Sequence, residues 1–173
     1  MSALLSQASL PIFKTGLGSL SAVLEKGAAH AAEKKIDPAV FLSWRLAPDM
    51  FPLVRQVQIA TDQAKNGSAR LAGVEPPRFE DDETSFEQLK ARLAKTTAFL
   101  ATLDPAAIDA SVDREIIFPL GPKKGAMRGA DYLHHFVLPN FYFHATTAYA
   151  ILRRCGVSLG KLDFMGEIPI TIT

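Results

Sequence analysis

The segment LHHFVLPNFYFH at residues 133–144 is too apolar for a helix with one face in water. At 100° per residue, an inward stripe within roughly 40° contains Leu133, Val137, Asn140, His144, Ala148 and Ile151. Asn140 and His144 are therefore predicted to lie one turn apart and to face the protein interior. Because the opposite side is also apolar, we expect both sides of this helix to be buried.

This last long helix is predicted to run from about Gly129 to Cys155, with Gly156 as a left-handed stop. Apolar residues at spacings of three and four predict three more long helices, which extend from Leu10, from Pro48 to about Leu71, and from Thr84 to Asp104. The third of these begins with a Thr84-x-x-Glu87 capping box.

Shorter elements are predicted between and after the long helices. Asp37-Pro38 indicates a connecting helix, and Val112–Leu120 has the β-branched and aromatic bias of a strand that opens a small hairpin. The proline-rich stretch Gly73–Asp82 is expected to be an exposed loop. The tail Val157–Thr173 is expected to be extended coil on the surface.

Length and composition favour one domain. At 173 residues the chain can bury a core without disulfides or a structural metal. We therefore predict an all-α, antiparallel four-helix-bundle domain over residues 1–173, with a small β-hairpin before the last helix. Nineteen basic and eighteen acidic residues give a net charge of +1 without long blocks of one sign, so no nucleic-acid partner is expected.

The sequence also bears on the compartment. Cys155 is the sole cysteine, and no Lys or Arg precedes Lys14, so the chain lacks the charged start of a secretory signal. No uninterrupted apolar stretch approaches the roughly 18 residues of a spanning helix. We expect a cytoplasmic protein without membrane contact.

A polar cluster is the candidate site. Gln58 and Asp62 lie one turn apart on the second long helix, where Asn140 and His144 would face them across the bundle. Three alternatives remain open from the residues: a hydrogen-bond network that only holds the core together, a metal or catalytic site, and a binding site for a small polar molecule. As a metal site it would use His144 and Asp62.

A second row on the last helix consists of His135, Tyr142 and Tyr149 at spacing seven, on the side opposite the inward stripe. An aromatic row on a bundle helix is usually core or interface. It needs a cover, either the hairpin and tail or a second subunit. We expect a homodimer through this row.

The last helix and three longer strings carry a family resemblance. His144, Arg153 and Gly156 have the spacing of the DinB/YfiT-like superfamily. The strings RLAPDMFP (45–52), LPNFYFH (138–144) and GKLDF (160–164) are similar to a bacterial branch of that superfamily without an assigned function. The resemblance implies an antiparallel four-helix bundle, commonly homodimeric. In better-known members one His of helix two and a His-x-x-x-His pair of helix four bind a divalent metal, which some use in thiol-transfer or isomerase reactions.

Carried over by position, the second His of the pair falls on His144, the first on Asn140, and the helix-two His on Gln58. Amide oxygens are poor ligands for zinc or nickel, which favour nitrogen and sulfur donors. The resemblance therefore implies a degraded site, with no cofactor expected beyond a weak divalent metal (Zn or Ni) held by His144 and Asp62.

Three functions follow as hypotheses, and the sequence leaves open whether the protein is an enzyme. The first is a DinB-like homodimer whose degraded metal site and polar cluster bind a small ligand. The second is a divalent-metal-assisted, thiol-dependent transferase or isomerase with Gln58 and Asn140 as supporting donors. The third is a protein-interaction module that uses the loop at Pro76–Asp82.

Overall fold

The structure, a computed structural model, describes residues 4–171. The helices are α1 (Leu10–Lys34), α2 (Pro38–Ser43), α3 (Leu53–Ala72), α4 (Phe86–Leu100), α5 (Pro105–Asp109), α6 (Gly129–Asp131), α7 (Leu138–Arg154) and α8 (Lys161–Met165). Strands β1 (Glu115–Leu120) and β2 (Lys123–Arg128) pair antiparallel, and a π-helical segment (Tyr132–Val137) joins α6 to α7. The described part is thus mostly helical with one small hairpin before the last long helix, as predicted.

The four long helices α1, α3, α4 and α7 pack around one hydrophobic core. Helix α3 lies against both α4 and α7, and α1 lies against α4 and α7. The apolar residues at spacings of three and four on α1 are buried, and they are Phe13, Leu17, Leu20 and Leu24. Within residues 4–171, no helix combines the length and the apolar composition that crossing a membrane requires.

The predicted capping box at Thr84 is wrong by one residue. The N-cap of α4 is Ser85, whose Oγ accepts a hydrogen bond from the Gln88 backbone N–H at 3.2 Å. The Gln88 side chain reaches back and accepts from the Thr84 backbone N–H at 2.6 Å. The bonding resembles a capping box, except that Gln88 bonds to Thr84, the residue before the N-cap, and not to Ser85. The helix starts one residue later than predicted because Phe86 begins its buried stripe.

Helix α3 begins later than predicted and continues without interruption through Asn66 and Gly67. It starts at Leu53, after Pro52, and continues to Ala72, where Gly73 adopts a left-handed φ of 73°. Gly67 is buried inside α3, where a Cβ would lie 2.5 Å from Val137 Cγ1. The absent side chain permits the closest approach of α3 to the π-helical segment.

Two predictions for the connecting segments also need correction. Asp104-Pro105 does more than end a helix, since Asp104 Oδ1 accepts from the Ala106 N–H at 3.0 Å and caps the short helix α5. The tail is not simply extended, because it contains α8, which lies against α1. Residues 172 and 173 of the predicted tail lie outside the described residues. Gly156, with φ of 89°, ends α7 as predicted.

The last long helix is not one regular helix. Pro139 has no N–H to donate to the carbonyl four residues earlier, and the backbone widens before it: Leu138 N–H donates to Leu133 O, five residues back. The extra residue in this turn rotates the side chains after Pro139 by about 100° about the helix axis, compared with a regular helix. His144 still faces inward, whereas Asn140 is only half-buried. The prediction that both sides of this helix are buried is wrong, because Tyr142 is 43% exposed and Phe143 is 57% exposed.

Candidate functional site

His144 lies on the inner side of α7 and faces α3. Its side chain is 9% exposed, and its Nδ1 lies 2.7 Å from Gln56 Oε1. The imidazole is therefore buried against the second long helix, as the sequence predicts, but its partner is Gln56 rather than Gln58.

The Gln56 amide determines which nitrogen of His144 carries the proton. Gln56 Nε2 lies 2.9 Å from the backbone oxygen of Phe51, which can only accept a hydrogen bond. The amide nitrogen of Gln56 must therefore face Phe51, and its oxygen faces His144. Because that oxygen also only accepts, His144 Nδ1 is the protonated nitrogen.

The second nitrogen of His144 remains available. Nε2 has no hydrogen-bond partner among residues 4–171. In that range Ser68 Oγ is the one fully buried side-chain N or O atom without a partner, so Nε2 is not fully buried and reaches solvent. In a ring whose Nδ1 carries the proton, Nε2 holds a lone pair. It can accept a hydrogen bond, take a proton or bind a metal.

The surroundings keep this ring neutral. Burial, and secondarily the charge of Arg55, lower the pKa of His144 below its usual value of 6.5. Arg55 itself pairs with Asp81 and donates to Gln58 Oε1 at 3.2 Å. At neutral pH the site thus offers the lone pair of His144 Nε2.

The lowered pKa gives a testable pH dependence. Because the unfolded state binds the proton more readily than the folded state, this histidine's contribution to stability is present above about pH 6.5 and is lost as the pH falls through the lower folded-state pKa. Urea unfolding at pH 7 and pH 5 should show a larger loss of stability for the wild type than for His144→Gln. Equal losses would mean that the ring titrates normally.

A second polar cluster lies between α3, α4 and the loop at residues 73–85, and Arg92 is at its centre. Its side chain is 2% exposed. Its Nη1 donates to Glu83 Oε1 at 3.0 Å, its Nη2 to Asp62 Oδ1 at 3.0 Å, and its Nε to Thr61 Oγ1 at 2.7 Å. We call these four residues the Arg92 cluster. It holds the loop onto the helices, and all its carboxylates are neutralised.

The same loop is fixed at two further points. Lys65 Nζ donates to the backbone oxygen of Pro77 at 2.8 Å, and burial lowers the pKa of this amine. The ring of Phe79 has Lys65 Nζ 4.1 Å and Lys95 Nζ 4.2 Å from its centroid. The predicted exposed loop is irregular, yet it is bound closely to α3 and α4.

The structure does not join the four predicted site residues in one cluster. Gln58 Nε2 donates to Glu83 Oε2 at 2.8 Å and Asp62 binds Arg92, so both belong to the loop side of α3. Asn140 Nδ2 donates to the Phe136 backbone oxygen of its own helix at 2.7 Å. His144 alone faces Gln56. Positions two apart on a helix point about 200° apart, so the side chains of Gln56 and Gln58 leave α3 on different faces.

The predicted metal pair, His144 and Asp62, is likewise divided between the two clusters. Asp62 is occupied by Arg92 and by Lys65, whose Nζ lies 3.2 Å from Asp62 Oδ1. Within the described residues, no group of three or more His, Cys, Asp or Glu side chains is arranged to hold a metal ion.

The three predicted interface residues differ in their surroundings. His135 is exposed and Tyr142 is partly so. Tyr149 is half-buried and packs edge-on against Phe164, with ring centroids 5.7 Å apart. One member of the row is thus covered by the C-terminal segment.

Sequence comparison identifies the family of this protein. The profile described as "Domain of unknown function (DUF1993)" matches residues 5–165. The chain belongs to the DUF1993 family. This DUF1993 protein is also similar to a solved crystal structure of a DinB family member protein from Shewanella denitrificans, at 37% identity and a TM-score of 0.91. That similarity covers 98% of this chain and 96% of the other. None of the curated proteins compared with it matches.

Proposed function

We propose that this DUF1993 protein is a small-molecule-binding, homodimeric member of the DinB-like group, in which His144 contacts the ligand and no tightly bound divalent metal is needed. The proposal takes α1, α3, α4 and α7 as the antiparallel four-helix bundle expected from the sequence, and the cytoplasm as its compartment. The observation that carries it is the neutral His144 ring, with Nδ1 bonded to Gln56 and Nε2 unbonded within the described residues.

The donor set argues against a tight metal site. A metal at His144 Nε2 would have one imidazole, while the Gln56 oxygen is already used by Nδ1–H. The two amides at Gln56 and Asn140 are weak ligands for borderline metals, which prefer nitrogen and sulfur. Both Asp62 and Glu83 are held by Arg92.

The same atoms suggest the chemistry of the ligand. The lone pair of His144 Nε2 would accept from an O–H, N–H or S–H group. Arg55, whose charge lowers the pKa of His144, is paired with Asp81, and an anionic ligand group would take the place of that carboxylate. Low-molecular-weight hydroxy acids, amino acids and thiol carboxylates carry both features.

The homodimer is proposed on the outer face of α7. Tyr142 and Phe143 are exposed there beside Leu46, and they line a shallow cavity with Pro139 and Thr146. Exposed aromatic side chains that form a contiguous patch are typical of protein interfaces. His135 would lie near the end of this interface.

The alternative of a metal-assisted, thiol-dependent transferase or isomerase has one observation in its favour. Metal-binding histidines usually have one ring nitrogen oriented by a hydrogen bond while the other binds the ion, and His144 has that arrangement through Gln56. The two functions differ in whether metal is bound stoichiometrically.

Elemental analysis of untagged protein, together with ligand-dependent melting, tests the proposal. We expect no stoichiometric metal and no change in Tm with chelator, zinc, nickel or manganese. A panel of hydroxy acids, amino acids and small thiol carboxylates should contain a ligand that raises Tm. At a hundredfold excess over Kd the gain is about 2.7 kcal/mol, or roughly 5–10 °C for a chain of this size.

His144→Ala should abolish that ligand-dependent rise in Tm, whereas His134→Ala, which removes an exposed histidine, should retain it. A panel without any effect on Tm would contradict ligand binding at this site. Bound metal at one equivalent, with a fall in Tm in chelator, would favour the transferase or isomerase instead.

A further inference from the structure

A cavity of about 380 Å³ lies between α1, α7 and the C-terminal segment at residues 164–169. Its volume is within the range of small-ligand pockets, roughly 300–1,000 Å³. It lies away from His144, because Phe141, Ala145 and Tyr149 leave α7 on the side facing α1. Tyr142 lies at the border between this side and the outer face of α7. The cavity is therefore separate from the site proposed above.

Small side chains on α1 and a C-terminal segment held by hydrogen bonds create this space. Gly16 lets the Phe141 ring approach α1, since a Cβ there would lie 2.7 Å from the ring. Ser19 Oγ donates to the backbone oxygens of Asp163 at 2.8 Å and Phe164 at 2.5 Å, and Lys26 pairs with Asp163 at 2.6 Å. The C-terminal segment is thereby attached to α1 while the cavity below it stays open.

The lining determines what the cavity can hold. None of its residues is Lys, Arg, His, Asp or Glu, so a charged ligand would lose its hydration without compensation. Four lining residues carry hydroxyl groups: Thr15, Ser19, Tyr142 and Tyr149. The Ser19 hydroxyl is used by the C-terminal segment, and none of the other three hydroxyls bonds to another atom of residues 4–171. A mostly apolar pocket with a few available polar groups is typical of small-molecule sites.

We propose that this cavity binds a neutral, mostly apolar small molecule that carries one hydrogen-bonding group, such as a hydroxyl, a carbonyl or an N–H. The apolar body would lie between Leu20, Val23 and Phe164, and the polar group would bond to a tyrosine hydroxyl or to Thr15. The exposed face of Ile168 would form part of the entrance.

Fluorescence titration with N-phenyl-1-naphthylamine, a neutral aromatic probe with one N–H group, tests this site. We expect saturable binding to the full chain. Thr15→Phe fills the cavity and should weaken binding by at least about tenfold. Thr102→Phe is the matched control, because it makes the same change at an exposed position that lines neither cavity, and it should leave the affinity unchanged. Tyr149→Phe should weaken it by roughly three- to tenfold through a lost hydrogen bond.

Thermal melting establishes whether Thr15→Phe is folded. If it is not, Ile168→Glu replaces it, since this exposed position can take a charge without unfolding the core, and it should also weaken binding at least about tenfold by placing a carboxylate at a neutral site. The proposal is wrong if the probe does not saturate, if Thr102→Phe weakens binding while the cavity variants do not, or if Ile168→Glu turns a dimer into a monomer in sedimentation velocity. In that last case the cavity belongs to a contact between two copies of the chain.

Discussion

Arg92→Met is expected to lower the free energy of unfolding by about 3–5 kcal/mol, the usual cost of removing one partner from a buried group of charges. The guanidinium contacts Asp62, Asp81 and Glu83 while its own side chain is 2% exposed. Methionine fills a similar volume but removes the charged partner of Glu83, which keeps only Gln58 Nε2. It also removes the donor to Thr61 Oγ1. The loop at residues 73–85 should detach from α4 in the same variant.

Urea unfolding monitored by circular dichroism measures the first effect, and hydrogen exchange of the loop amides measures the second. Arg78→Met is the matched control. Arg78 also pairs with a carboxylate, Glu80, but its side chain is 86% exposed, so its loss should cost roughly 0–1 kcal/mol. Similar losses in the two variants would show that the Arg92 cluster contributes no more than a surface ion pair.

Gly67→Ala is expected to destabilise the protein by about 1–3 kcal/mol, although alanine is the better helix former. The new Cβ would lie 2.5 Å from Val137 Cγ1, 3.0 Å from Cγ2 and 3.3 Å from Cβ, so no rotation of this β-branched side chain avoids it. Helix α3 and the π-helical segment would have to separate.

A double-mutant cycle gives the sharpest form of this experiment. In a Val137→Ala background the two closest contacts are removed and only the 3.3 Å contact with Cβ remains. Gly67→Ala should then become neutral or stabilising by up to about 1 kcal/mol, the helix-propensity gain. Gly18→Ala in α1 is the single-site control, because a Cβ at Gly18 meets nothing within 4 Å and should stabilise by about 0.5–1 kcal/mol. A Gly67→Ala protein as stable as the wild type would contradict the close approach.

The position of His144 could be predicted, whereas its partner could not. The inward face of α7 is evident from the apolar residues around His144, and this part of the interpretation does not depend on the segment before Pro139. To choose between Gln56 and Gln58 as the partner of His144, one must know how α3 is rotated about its own axis. An apolar stripe defines that rotation only to within a residue or two, and α3 has buried residues on several faces.

The Arg92 cluster was missed altogether, yet one signal for it is present in the chain. Arg92 falls on the buried stripe of α4 beside Leu89, Leu93 and Thr96. A charge on such a stripe needs partners, because a buried guanidinium without them is very costly. Five acidic residues in the loop before α4, Glu75 and the run at residues 80–83, were the available candidates.

Periodicity, proline and glycine positions, and the apolar character of residues 133–144 were enough for the helical class, the hairpin and an inward histidine, because each follows from spacing along one segment. The pairings of Gln56 with His144 and of Arg92 with the loop, and the cavity beneath the C-terminal segment, depend on how separate segments meet. A widened turn before Pro139 or a shift of two positions on α3 changes those contacts completely while leaving the pattern of each segment the same.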